Sequence, residues 1–124
     1  MGGKQSKQKL NGSHPALREA IQAVPVLVYG KSYSTEYQRA LTCFTKMRVP
    51  CTQVETDKLP NGGELSAGLK ALTGRKDFPY VFISGELVGG DQELFAGLRN
   101  GSVQRKLKKA GVTFQDVAEE REFM

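Results

Sequence analysis

The stretch Leu72-Thr73-Gly74-Arg75-Lys76-Asp77-Phe78-Pro79-Tyr80-Val81-Phe82-Ile83-Ser84-Gly85-Glu86-Leu87-Val88-Gly89-Gly90-Asp91 decides the fold. Leu65, Leu69 and Leu72 recur at helical spacing, Asn61-Gly62-Gly63 introduces that helix, and Gly74 is the residue type that stops one. Tyr80 to Ile83 and Glu86 to Val88 read as two strands joined by a tight turn at Ser84-Gly85. Asp91 is expected to cap a following helix that carries Leu94 and Leu98, and Ser102 to Ala110 continues the helical pattern. A hairpin framed by helices is therefore the C-terminal half of the domain.

Moving upstream, the same reading gives a second unit. Pro15 is a good first-turn residue, and Leu17, Ile21 and Val24 follow at helical spacing. Pro25 to Tyr29 reads as a buried strand. Ser34 can cap a helix with Tyr37, Leu41, Phe44 and Met47 on one face, and Val49 to Glu55 reads as a second strand. A β-α-β unit followed by a helix and an antiparallel hairpin makes a four-stranded mixed sheet flanked by helices. This is an α/β chain of thioredoxin-like arrangement. Residues 1–14 read as a flexible basic arm, 15–110 as the domain, and 111–124 as an acidic tail, loosely attached from Thr113.

Composition narrows the class. At 124 residues, 39% hydrophobic and 25% charged, the chain fits one domain and excludes a disordered or collagen-like polymer. No window reaches the ~18 apolar residues of a membrane span. Two cysteines, Cys43 and Cys51, make no disulfide framework, and no secretory signal opens the sequence, so an intracellular protein with reduced thiols is expected. The spacing of the two cysteines to each other is no metal pattern, and no His or acidic cluster surrounds them, so no metal is expected and both read as structural thiols. Residues 1–110 carry a net +8 and the last fourteen a net −3. The chain has no Trp, and its Tyr and Phe show no stacking-platform spacing, so the basic charge does not read as a nucleic-acid surface.

Three segments in order, Val28 to Tyr37, Leu72 to Ile83 and Val88 to Leu94, resemble a glutaredoxin over about residues 15–110. The resemblance implies a glutaredoxin-type fold with a cis-proline at Pro79. It also implies a glutathione site at Lys31, Tyr33, Phe78, Pro79, Gly90, Asp91 and Gln92. Lys31 matches the position that meets the glycine carboxylate, and Phe78 the one whose backbone pairs with the cysteinyl part. Gly89-Gly90 matches the turn that brings a helix N-terminus to the γ-glutamyl carboxylate.

The chemistry departs from the pattern. The nucleophile position is Ser34 and the resolving position Tyr37. A serine cannot form a mixed disulfide, and the modest field of a helix N-terminus cannot ionise it as it ionises a thiol. No catalytic residue is therefore expected there, and cluster binding through that thiolate is lost as well. Asp77 stands where a threonine is usual, Asp91 can cap the amides that would receive the ligand, and Gln92 replaces an aspartate that meets the ligand's amino group. Charge-assisted contacts are worth about 1.5–3 kcal/mol each, so such losses move a weak ligand towards millimolar affinity. Glutathione is the one cofactor the resemblance offers. At Ser34 the simple reading is a helix cap, and the alternative is a hydroxyl that stabilises a bound glutathione thiolate.

Met1-Gly2-Gly3-Lys4-Gln5-Ser6 fits the N-myristoylation pattern at Gly2. One myristoyl chain binds membranes marginally, and Lys4, Lys7 and Lys9 are the second signal. Arg99, Arg105, Lys106, Lys108 and Lys109 form a further basic cluster, either a solvated helix face or an added attachment. His14, the only histidine, lies in the arm and is not expected to be catalytic. The sequence therefore predicts a glutaredoxin-like domain, redox-inactive at Ser34. It is expected on the cytoplasmic membrane face, contacting a protein partner through Tyr37, the groove by Pro79 or the acidic tail. The alternative is a divergent glutathione-dependent enzyme using Lys31, Ser34 and Pro79.

Overall fold

Strands β1 (Val26–Gly30) and β3 (Tyr80–Ile83) form the middle of the sheet and are buried along their whole length. That is why both read as unbroken apolar runs instead of alternating ones. The structure is a computed structural model that describes residues 14–116. The basic arm with Gly2, Lys4, Lys7 and Lys9 lies outside the described residues, as does the tail from Ala118 onward and its neighbour Val117.

Outside the central pair, β2 (Thr52–Glu55) runs parallel to β1, and β4 (Glu86–Gly89) runs antiparallel to β3, giving the order β2-β1-β3-β4. Among the described residues the α-helices are α1 (Pro15–Gln22), α2 (Thr35–Lys46), α3 (Gly62–Thr73), α4 (Asp91–Asn100) and α5 (Ser102–Lys109), with a short 3-10 turn at Thr56–Lys58. Alternation along the strands divides the core in two. Val26, Val28, Val81 and Ile83 pack under α2, α4 and α5, whereas Leu27, Tyr29, Tyr80 and Phe82 pack under α1 and α3. The expected four-stranded mixed sheet is therefore present, with Gly74 in the left-handed conformation at the end of α3 and Ser84-Gly85 at positive φ in the hairpin turn.

Three local expectations need correction. The second strand begins at Thr52, not Val49. After α2 the chain turns through Arg48 at φ 60, and the Val49 amide bonds back to the Phe44 carbonyl, so Val49 belongs to the helix end and fills the core. Asp91 does not cap α4. It is the first helical residue, and the Gly90 amide instead donates to Glu93 Oε1 at 2.8 Å. The chain is also not loose from Thr113: the Gln115 amide donates to the Met47 carbonyl at 2.8 Å, and Phe114 packs against the core.

Candidate functional site

Parallel β1 and β2 end where antiparallel β3 begins and β4 ends, so one edge of the sheet collects the 31–34 loop, the N-terminus of α2, the Phe78–Pro79 bond and the N-terminus of α4. The Phe78–Pro79 peptide is cis, as the resemblance implied. At this edge Lys31 Nζ stands 4.7 Å from the centre of the Phe78 ring, which in turn meets Tyr80 edge-on at 5.0 Å. Tyr33 projects from the loop with 77% of its surface exposed. Lys31, Phe78 and Pro79 are thus brought together as expected, and the loop that carries Lys31 also exposes Tyr33.

Ser34 is the α2 cap. Its hydroxyl accepts from the Tyr37 amide at 3.1 Å and donates to Glu36 Oε1 at 3.1 Å. Glu36 is held below the ordinary carboxylate range by its own backbone amide and by that hydroxyl. An already stabilised carboxylate is a weak base, so the serine has an acceptor but no general base able to activate it. The simple reading of Ser34, a cap, accounts for the bond it accepts from Tyr37, and Glu36 takes the hydroxyl proton.

Tyr37 is fully buried, which removes it from the candidate contact surfaces. Its ring lies against the α-carbon of Gly30, where any Cβ would overlap it, and its hydroxyl donates to Glu55 Oε2 at 2.9 Å. Burial, together with that carboxylate, pushes the phenol far above its ordinary range. The residue at the resolving position therefore ties α2 to the ends of β1 and β2.

Two residues that sequence reasoning passed over complete the edge. Asp57 receives the Ser32 amide at 2.8 Å and the Ser32 hydroxyl at 2.5 Å, fixing the loop that carries Lys31 and Tyr33. Nothing local signals a pair 25 residues apart. Arg75 donates from Nε to the Asp77 carbonyl at 2.8 Å, and its guanidinium covers the α-carbon of Gly90, 3.5 Å from Glu93 Oε1. Its place in the Thr73-Gly74-Arg75 segment was the available signal. Arg75 and Lys31 thus flank cis-Pro79, and Asp77 contributes a backbone carbonyl to this arrangement. Asp91 is turned inward and ion-paired with Arg39 at 3.1 Å, so it does not occupy the α4 amides, while Gln92 is exposed.

The ordinary thiols lie elsewhere. Cys43 is buried in the core, its pKa pushed up to about 12 by burial and by the Asp91 carboxylate. Cys51 is half-buried and raised by burial. Neither has the electropositive, accessible setting of a reactive thiolate. Among the described residues no group of three or more His, Cys, Asp and Glu could hold a metal, and no helix is long and apolar enough to cross a membrane.

Two measurements follow from this geometry. Asp57 is held below its ordinary value by the two Ser32 bonds, so the clamp is complete above the unfolded carboxylate pKa and is lost as pH falls through the lower folded value. In a pH titration by NMR, the Ser32 amide shift is expected to move with a midpoint below 3.8. A midpoint at or above that value contradicts the clamp. Separately, Arg39→Ala strands a buried carboxylate and is expected to lower urea-denaturation stability by about 2 kcal/mol, between the values for exposed and buried pairs. Asp91→Asn, which needs no counter-charge, is expected to lower it less.

A four-stranded sheet with a cis-proline at β3 and a helix starting beside it defines a thioredoxin-like domain. No family model matches the chain. It is 32% identical over 94 residues to glutaredoxin-C6 of Oryza sativa subsp. japonica, covering 76% of this chain and 84% of that protein. It is 29% identical over 110 residues to glutaredoxin-C1 of Arabidopsis thaliana, covering 89% and 88%. The solution structure of reduced glutaredoxin C1 from Populus tremula x tremuloides superposes with a TM-score of 0.77 at 29% identity, over 88% of this chain and 93% of that one. The chain belongs to the glutaredoxin family.

Proposed function

We propose that this glutaredoxin is redox-inactive at the Ser34 site and works as a membrane-tethered interaction or regulatory domain. The observation that carries the reading is the Ser34 hydroxyl, which caps α2 by accepting from the Tyr37 amide and donates to Glu36, at the position where the family resemblance places a nucleophilic thiol. Tyr37, at the resolving position, is a packing residue. With no sulfur at either position there is no bond that thiol–disulfide exchange could form there. The contact surface shifts from Tyr37 to the exposed Tyr33 ring on the 31–34 loop, an aromatic side chain suited to a protein partner.

Tethering rests on the Gly2 pattern with Lys4, Lys7 and Lys9 as its electrostatic second signal, and places the domain on the cytoplasmic face of a membrane. Co-expression with an N-myristoyltransferase and intact-mass measurement tests it. One myristoyl group on the native chain and none on Gly2→Ala is expected; an unmodified native chain contradicts tethering by this route.

A second reading is favoured by a separate observation. Lys31 and Arg75 flank cis-Pro79, and Asp91 leaves the α4 N-terminus because it is paired with Arg39, so the Glu93 carboxylate, on the Gly90 amide and beside Arg75, is the one group a ligand carboxylate would displace there. Two cations and helix amides at one edge suit a ligand with two carboxylates, such as glutathione, held without any reaction at Ser34. Titration of reduced glutathione into labelled protein separates the readings. Saturable amide shifts at Lys31–Ser34, Phe78 and Gly90–Gln92 by about 10 mM, the range of weak binding, support a glutathione-sensing role. No site-specific shifts leave the protein-interaction reading and remove every glutathione-dependent one.

A further inference from the structure

At the opposite end of β3 from cis-Pro79, the hairpin turn and α5 enclose a second cleft of about 420 Å³. Ser84 and Glu86 line it from the turn, and Ser102, Arg105, Lys106 and Lys109 line it from α5. The α5 residues fall at i, i+3, i+4 and i+7, so one stripe of the helix presents a hydroxyl and three cations to the same space. The volume is that of a small-molecule site.

The charge is poorly neutralised from within. Lys106 reaches Glu86 only at 3.5 Å, and Glu86 is itself largely exposed. Among the described residues neither Arg105 nor Lys109 has a carboxylate partner. Helix α5, Ser102–Lys109, contains no acidic residue that could pair along the helix. Arg105 and Lys109 are four apart, an arrangement of like charges that disfavours a helix unless an anion lies between them. The α5 dipole favours cations in the last turn, but it does not explain their alignment with Ser102 and Ser84 around a concave surface.

We propose that this cleft binds a phosphate group carrying more than one negative charge. Arg105 and Lys109 would supply the charge-assisted bonds and Ser84 and Ser102 hydroxyl donors; Lys106 would exchange Glu86 for the ligand. Glu86 selects against weak monoanions, because only a multiply charged group outcompetes it for Lys106. The ligand chemistry is shared by an inositol-phosphate headgroup in a membrane and by a free phosphorylated metabolite. The site does not depend on acylation of Gly2, nor on the cis-proline edge.

The test uses the full chain made without an acyltransferase, titrated with inositol trisphosphate and followed by backbone NMR. Saturable shifts at Ser84, Glu86 and Ser102–Lys109 are expected, and Arg105→Gln with Lys109→Gln is expected to weaken binding at least tenfold. Lys58→Gln with Lys70→Gln, which removes the same charge elsewhere, is expected to leave it within about twofold. Diffuse shifts, or equal weakening by both pairs, overturn the proposal, since they describe nonspecific attraction. Sedimentation with phosphatidylcholine vesicles, with and without phosphatidylinositol bisphosphate, assigns the source. Capture that the Arg105/Lys109 pair abolishes marks a lipid headgroup, and soluble binding without capture marks a free phosphate. Capture that survives the pair, with no localised shifts by NMR, overturns the site.

Discussion

Ser34→Cys acquires a reactive thiol, forming a mixed disulfide with oxidised glutathione and reducing a glutathionylated peptide. The new sulfur occupies the cap of α2, where the Tyr37 amide and the helix dipole favour a thiolate and Lys31 adds positive charge from the same loop. Lowering a thiol pKa from ~8.5 to near 7 raises the thiolate fraction at neutral pH on the order of tenfold, and the lower nucleophilicity of the less basic thiolate takes part of that back, so exchange is expected about threefold faster than for an unstructured cysteine peptide. Glu36 opposes this, because its carboxylate now accepts from residue 34 and would face a thiolate instead. Ser34→Cys with Glu36→Gln is therefore expected to be faster than the single variant. Intact mass and a coupled reduction assay measure both. A folded Ser34→Cys protein that forms no adduct contradicts the view that the site lacks only its sulfur.

Tyr37→Cys, which on paper rebuilds the resolving position, is expected to damage the fold instead. It removes a fully buried ring packed on Gly30 and leaves Glu55 without its phenol donor. Large-to-small changes of an aromatic core residue cost about 3–5 kcal/mol, a large share of a small domain's stability. Gly30→Ala attacks the same contact from the other side and is expected to cost about 1–3 kcal/mol by overpacking. The two are coupled, so the double variant is expected to be more stable than the sum of the single losses implies. Additive losses in urea denaturation contradict a direct Gly30–Tyr37 contact. Loss below about 1 kcal/mol for Tyr37→Cys contradicts the structural role given to this residue.

The parts legible in the sequence were those fixed by local rules. The Leu65-Leu69-Leu72 face with Gly74 behind it, the Ser84-Gly85 turn and the buried runs at Val26 and Tyr80 each follow from spacing or backbone freedom, and they set the topology. Ser34 as a cap was legible for the same reason. Tyr37 reads both as a contact residue, from its family position, and as a member of the helix face with Phe44 and Met47, and burial decides for the second. Asp91 was misread as a cap because residue type at a helix start is shared by the cap and first-turn positions, and only Arg39, 52 residues away, decides between them. Asp57 on Ser32 and Arg75 on Gly90 are three-dimensional pairings that no periodicity announces.

With Ser34 at the nucleophile position, Cys43 and Cys51 are the only thiols left to carry the family's exchange reaction, and both are shielded. Incubating the native, reduced chain with oxidised glutathione at neutral pH and reading the intact mass tests it most directly. An unmodified mass is expected, because Ser34 cannot form the bond and Cys43 and Cys51 are held in their thiol forms by burial. A mass increase of one glutathionyl group, mapped to either cysteine and released with turnover by reduced glutathione, would contradict it.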